Sequence, residues 1–159
     1  MKKVLSIVIM MLLLCGCSKS ESEEKILYDD YISILKQQKT LNTTLPFDLE
    51  VYVDKIIETE VMYRVIIDNP KIPLRNIETL VIHDRYTEDI FPSSGIFDEK
   101  LNLIPGVINK ESNYVEGIIL IGYIPFDDDV SKLNASFKLM FKYVDDDGKS
   151  HTVYYSTKK

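Results

Sequence analysis

From Leu45-Pro46 almost to the C-terminus, hydrophobic positions recur at every second residue, the period of a half-buried β-strand. Leu49, Val51 and Val53 alternate with Asp48, Glu50, Tyr52 and Asp54; Val61, Tyr63, Val65 and Ile67 alternate with Glu60, Met62, Arg64, Ile66 and Asp68. These predict two strands joined near Glu58-Thr59. Asn69-Pro70 and Pro73 then interrupt the pattern, and Ile77 to His83 predicts a third strand with an apolar middle, Leu80-Val81-Ile82. Tyr114 to Ile124 is apolar on both faces, which predicts a central strand covered on both sides. Phe137, Leu139, Phe141 and Tyr143 give another alternation, Asp147-Gly148 supplies a hairpin turn, and Thr152 to Ser156 returns.

Upstream the period changes. Leu27, Tyr31, Ile34 and Leu35 recur at helical spacings, predicting an amphipathic helix over residues 25–39, and Ser20 and Glu23 have the spacing of a capping box. The apolar stripe is expected to dock on the protein's own core; the alternative, a partner or membrane-surface contact, fits poorly with a helix that is acidic at its start. One helix followed by six to seven strands, with no helices alternating among them, predicts an all-β fold: an antiparallel β-sandwich over residues 46–157, a closed barrel being the alternative.

The first residues follow a different logic. Lys2 and Lys3 precede Val4 to Leu14, apolar except for Ser6, which is the length of a secretory h-region and too short for the roughly 20 apolar residues of a membrane span. Leu14-Cys15-Gly16-Cys17 resembles the lipobox of bacterial lipoproteins. Gly16 before Cys17 is the small residue that such a cleavage site favours, whereas Leu14 before Cys15 is too bulky, so Cys17 is the expected acceptor. Cys15 departs from the residues usual at its place. The resemblance implies residues 1–16 as a signal peptide, 17–24 as a lipidated tether, and acyl chains such as palmitate on Cys17 that hold the domain at the outer face of the cell membrane, with the outer membrane an option in a Gram-negative host. A mature chain with one lipid-blocked cysteine has no intrachain disulfide, so packing must stabilise it.

Composition adds limits. The 159 residues suit one domain; ten Tyr and six Phe provide more core-forming side chains than a disordered chain carries, and 25 Asp and Glu against 19 Lys and Arg, a net −6, argue against a nucleic-acid partner. Asn42-Thr43-Thr44 and Asn134-Ala135-Ser136 match the N-glycosylation pattern, which a lipobox upstream makes irrelevant.

A second resemblance lies in Gly117-Ile118-Ile119-Leu120-Ile121-Gly122-Tyr123-Ile124-Pro125-Phe126, with Leu133 and Phe137-Lys138-Leu139. It is similar to the late strands of immunoglobulin-like domains that follow lipoboxes in many Gram-positive lipoproteins of unknown function. It implies an immunoglobulin-like sandwich serving as an accessory or binding module and carries no active site. The absence of Trp excludes the antibody-type Cys…Trp…Cys core.

Candidate chemistry is sparse. Asp145-Asp146-Asp147-Gly148 resembles part of a calcium loop, but Tyr143 and Tyr154 stand where carboxylates are required. Asp127, Asp128 and Asp129 form a weak candidate for loose calcium binding, and no cofactor is expected. His83 and His151 lack metal-ligand spacing, Phe91-Pro92-Ser93-Ser94-Gly95 reads as a turn without a nucleophile elbow, and the six glycines form no phosphate loop. The connection from about Asp84 to Gly106 is unusually greasy. It either packs along the sandwich, adding an edge strand, or presents Tyr86, Phe91, Ile96, Phe97 and Leu101 to a protein or cell-wall partner. The expected function is a lipid-anchored extracytoplasmic binding or accessory module, not an enzyme; an extracytoplasmic hydrolase and a purely structural envelope lipoprotein are the alternatives.

Overall fold

The computed structural model describes residues 23–85, 93–107 and 113–159. The expected signal peptide (1–16) and residues 17–22 of the expected tether (17–24), with Cys17, lie outside the described residues, as do Tyr86 and Phe91.

One helix, α1 (Glu23–Gln37), precedes seven strands: β1 (Asp48–Ile57), β2 (Glu60–Asp68), β3 (Leu74–His83), β4 (Ser93–Leu103), β5 (Ile118–Pro125), β6 (Ser136–Val144) and β7 (Ser150–Lys158). They form two antiparallel sheets, ordered β1-β2-β5 and β4-β3-β6-β7, as expected of an immunoglobulin-like sandwich. In the constant-type immunoglobulin arrangement the fourth strand lies beside the fifth. Here it lies beside the third, so β5 has β2 as its one strand neighbour among the described residues.

Tyr114 to Ile124 was expected to be a central strand, and the structure corrects this: the strand begins at Ile118 and forms an edge of the three-stranded sheet. Its inner residues Ile118, Leu120 and Ile124 are buried, whereas Ile119, Ile121 and Tyr123 face outward and none of the described residues covers them. Ser93-Ser94-Gly95 is likewise not a turn. It starts β4, with Gly95 opposite Leu80 and Ser94 opposite Val81.

The core lies between the sheets, where Val61, Tyr63, Val65 and Ile67 of β2 meet Val81 of β3 and Phe137, Leu139 and Phe141 of β6. Phe47, just before β1, packs against Phe141 with ring centroids 4.4 Å apart and the rings tilted by 48°. Tyr63 stands opposite Gly122 on β5, and a Cβ at Gly122 would come within 2.3 Å of the Tyr63 hydroxyl; glycine is required there because the aromatic ring lies over it. The Asp145–Lys149 turn closes the β6–β7 hairpin with Gly148 at φ 78°, the left-handed conformation expected of Asp147-Gly148.

A second, smaller cluster covers the outer face of the four-stranded sheet. Leu35 of α1 packs on Leu80, Ile82 and Met140, flanked by Tyr28, Tyr31, Ile32 and Phe97. The docked stripe is therefore Tyr28, Tyr31, Ile32 and Leu35, at i, i+3, i+4 and i+7, whereas Leu27 and Ile34 of the expected stripe are exposed. The Tyr31 hydroxyl donates to Glu78 Oε2 at 2.6 Å, and Lys142 Nζ donates to the same oxygen at 3.0 Å, tying helix to sheet. At the far end of α1, Lys138 Nζ reaches the carbonyls of Lys36 at 3.2 Å and Gln38 at 3.4 Å, satisfying acceptors that a helix C-terminus leaves open.

Candidate functional site

The two sheets present different outer surfaces. The four-stranded sheet is roofed by α1; the three-stranded sheet is bare among the described residues. Strand register orders the bare face in three rows: Glu50, Ile66 and Ile119; Tyr52, Arg64 and Ile121; Asp54, Met62 and Tyr123. Each row runs from a polar or aromatic residue on β1 to an apolar or aromatic one on β5. Ile119, Ile121 and Tyr123 are 55%, 47% and 46% exposed. In the middle row the Arg64 guanidinium pairs with Asp54 and lies 5.9 Å over the Tyr52 ring, which flattens it onto the face; its Nε is buried without a hydrogen-bond partner. A continuous apolar stripe along a strand edge that no described strand pairs with, bounded by charge on the far side, has the character of a docking surface.

The expected interaction residues within the described region lie elsewhere. Ile96 and Leu101 of β4 are partly buried against the main core, and Phe97 packs under α1, its ring 5.8 Å from Tyr28 and 5.5 Å from Tyr31. Their apolar surface is largely spent within the domain. The sequence showed apolar residues on both sides of β5; that the outer set is exposed is visible only in the structure.

The titratable groups do not converge. His83 ends β3 opposite Phe137 and His151 begins β7 opposite Tyr143, so six residues of β6, about 20 Å, separate them. His151 Nε2 lies 2.6 Å from Asp145 Oδ2 and its ring stacks on Tyr143 at 5.0 Å. The Asp145 carboxylate, held below its ordinary range first by the His151 contact, also accepts from the backbone of Asp147 and Lys149 and so organises the hairpin turn.

His83 is buried between the sheets, 5.5 Å ring to ring from Tyr63. Its Nδ1 accepts from Arg85 N at 3.2 Å, which leaves the proton of the neutral ring on Nε2; Nε2 and the Tyr63 hydroxyl are both buried without a partner. Burial pushes the His83 pKa down, opposed by the nearby Asp84 carboxylate, and burial pushes the Tyr63 hydroxyl far up. Both side chains are almost wholly buried, and His83 also borders a cavity of about 320 Å³ lined by Lys36, Ile82, Asp84, Ser136 and Lys138.

An open cleft of about 760 Å³ at one end of the sandwich is lined by Thr59, Asp84, Arg85, Phe126, Asp127 and Asp128. Two of its three acids, Asp84 and Asp128, and the neighbouring Asp129 make bonds within the loops. Asp84 accepts from Ser136 N at 2.8 Å, Asp128 holds Lys132 Nζ at 2.9 Å, and Asp129 caps the short 3-10 turn (Val130–Lys132) by accepting from Ser131 N at 2.9 Å. The Asp128 and Asp129 carboxyls are held below their ordinary range, chiefly by Lys132 and by Ser131 respectively. Among the described residues no group of three or more His, Cys, Asp or Glu is placed to hold a metal ion, and no helix is long and apolar enough to cross a membrane.

The chain matches no protein-family model and no curated protein sequence.

Proposed function

We propose that this protein is a lipid-anchored extracytoplasmic binding module of the bacterial cell envelope, and that it binds through the outer face of the three-stranded sheet. The lipobox resemblance of Leu14-Cys15-Gly16-Cys17 supports the anchor. The observation that carries binding is the bare stripe of Ile119, Ile121 and Tyr123 beside Ile66: a soluble domain that leaves large apolar side chains aligned along an open edge keeps them for a partner. Function in this reading is recognition, with backbone groups of β5 supplying hydrogen bonds and alternate side chains supplying the apolar contact.

A photo-crosslinking amino acid in place of Ile121, in the full-length chain in its own cells, should yield one defined adduct on illumination. The same residue in place of Lys149, on the exposed hairpin at the end of the other sheet, should yield none. No adduct at position 121, or the same adduct from both positions, would remove the site. For the anchor, Cys17→Ser should move the protein out of the membrane fraction; retention there would refute lipidation at that sulfur.

A further inference from the structure

We infer that β5 pairs with the β5 of a second copy of this chain, antiparallel across a two-fold axis at Ile121, joining the two three-stranded sheets into one. This names the partner of the proposed docking face and rests on that reading.

Edges decide where a sheet can be extended, and proteins guard them with charge or with covering chain. The β1 edge carries Asp48, Glu50, Asp54 and Lys55, and β4 carries Asp98, Glu99 and Lys100. The β7 edge is covered by Asn42, whose N–H donates to the Tyr154 carbonyl at 2.7 Å and whose Oδ1 accepts from Tyr154 N at 2.9 Å. From Ile118 to Pro125, β5 carries no charged residue at all, and its proline stands at the last position, where it interrupts no ladder.

The same feature favours a second copy over other occupants. Two copies of a chain of net charge −6 repel each other overall, and at β5 they would meet with no charged residue in the ladder. A two-fold contact requires a strand that complements itself. Centred on Ile121, the pairing sets Ile121 opposite its own copy and Ile119 opposite Tyr123 twice over, the β-branched and aromatic cross-strand pairs that stabilise sheets, all on the outer face. The two bare stripes then merge into one. The N-terminal segment is a poor occupant, because α1 joins the domain on the opposite side of the sandwich and the six residues from Cys17 to Ser22 reach about 20 Å at full extension. A bilayer rich in anionic lipid is a poor one as well, since the face is rimmed by Glu50 and Asp54.

Cysteine pairing in the full-length chain in its own membrane tests the contact and its register. Directly opposed residues in antiparallel strands have Cα atoms about 4.5 to 5.5 Å apart, within disulfide reach. Ile121→Cys should give a disulfide-linked dimer on mild oxidation, at least about tenfold more than Lys149→Cys; Ile119→Cys combined with Tyr123→Cys should also link, whereas Ile119→Cys alone should not. In detergent, the wild-type chain should sediment as a dimer and Ile121→Lys as a monomer with unchanged circular dichroism. A monomeric wild type, or dimers that form equally from position 149, overturns the proposal. So does a position-121 crosslink made to a different protein or to lipid; the first of these leaves the docking face standing and removes self-pairing alone.

Discussion

The outer face of the four-stranded sheet and that of the three-stranded sheet are built from similar residues and meet different fates. On the first, Leu80, Ile82 and Met140 are buried because α1 lies over them with Leu35 at its centre. On the second, Ile119, Ile121 and Tyr123 have the same apolar character and remain in water. The difference is one of connectivity. Among the described residues there is one α-helix, it docks on one sheet, and β4 has joined β3 instead of β5, so within these residues the other sheet has neither a roof nor a fourth strand. Two chemically similar faces are therefore used differently: one is buried and stabilises the domain, and the other stays exposed, which is the basis of the proposed docking role.

The largest expected effect breaks the comparison directly. Leu35→Ala should cost about 2 to 5 kcal/mol of unfolding free energy in urea titration, because it opens a cavity between α1 and the sheet. Ile121→Lys, compared at a protein concentration low enough that both chains are monomeric, should stay within about 0.5 kcal/mol of wild type, since an exposed strand residue loses little on becoming polar. Equal costs at the two positions would mean that the bare face carries stability after all.

Next in size is the seam between the inner and outer surfaces of the bare sheet. Gly122→Ala should destabilise by about 1 to 3 kcal/mol, as the new methyl collides with the Tyr63 ring and hydroxyl. In a Tyr63→Leu background the same change should cost markedly less, because the obstructing ring is gone. An undiminished cost would place the strain in the backbone of β5. On the covered sheet, Tyr31→Phe removes the 2.6 Å hydrogen bond to Glu78 and should cost about 1 kcal/mol, measured by thermal or urea unfolding. The Lys142 ammonium, held charged above its ordinary range chiefly by Glu78, remains to pair that carboxylate, which keeps the loss small.

Much of this architecture was legible in the sequence. Period-two alternation located β1, β2, β6 and β7, and Asp147-Gly148 located a hairpin. Local pattern ran out where long-range pairing decides. The run of apolar residues through Ile118–Ile124 says that both faces of a strand are hydrophobic, and the usual cause is burial on both sides. Whether anything covers the outer side depends on where β4 and α1 settle, which the residues of β5 do not encode. The helix stripe shows the same limit: Leu27 and Ile34 satisfy helical spacing as well as Tyr28 and Ile32, and the choice falls to Phe97, which offers Tyr28 and Tyr31 an aromatic surface from β4. Glu78 and Lys142 look like ordinary solvent-facing alternants until β3–β6 register sets them opposite each other under Tyr31.

The smallest expected effect separates the interior from both outer faces. His83 is buried with a folded-state pKa below its ordinary value of 6.5, so the folded protein binds this proton less readily than the unfolded chain. Its contribution to stability is complete above the unfolded pKa and is lost as pH falls from there toward the lower folded value. Urea midpoints should therefore decline as the solution is acidified below about pH 6.5, and His83→Asn, whose side-chain oxygen can still accept from Arg85 N, should flatten that part of the profile. The Asp145 carboxylate, held below its ordinary range, adds a separate loss further down, as pH falls through the lowered carboxylate value. No residue from Ile118 to Pro125 carries a group that titrates in the upper window, so the sedimentation behaviour tied to β5 should stay constant while stability declines. If His83→Asn leaves the acid slope unchanged, the proton is taken up elsewhere; if self-association falls in step with stability, the bare face depends on the interior more closely than its separate rows of residues imply.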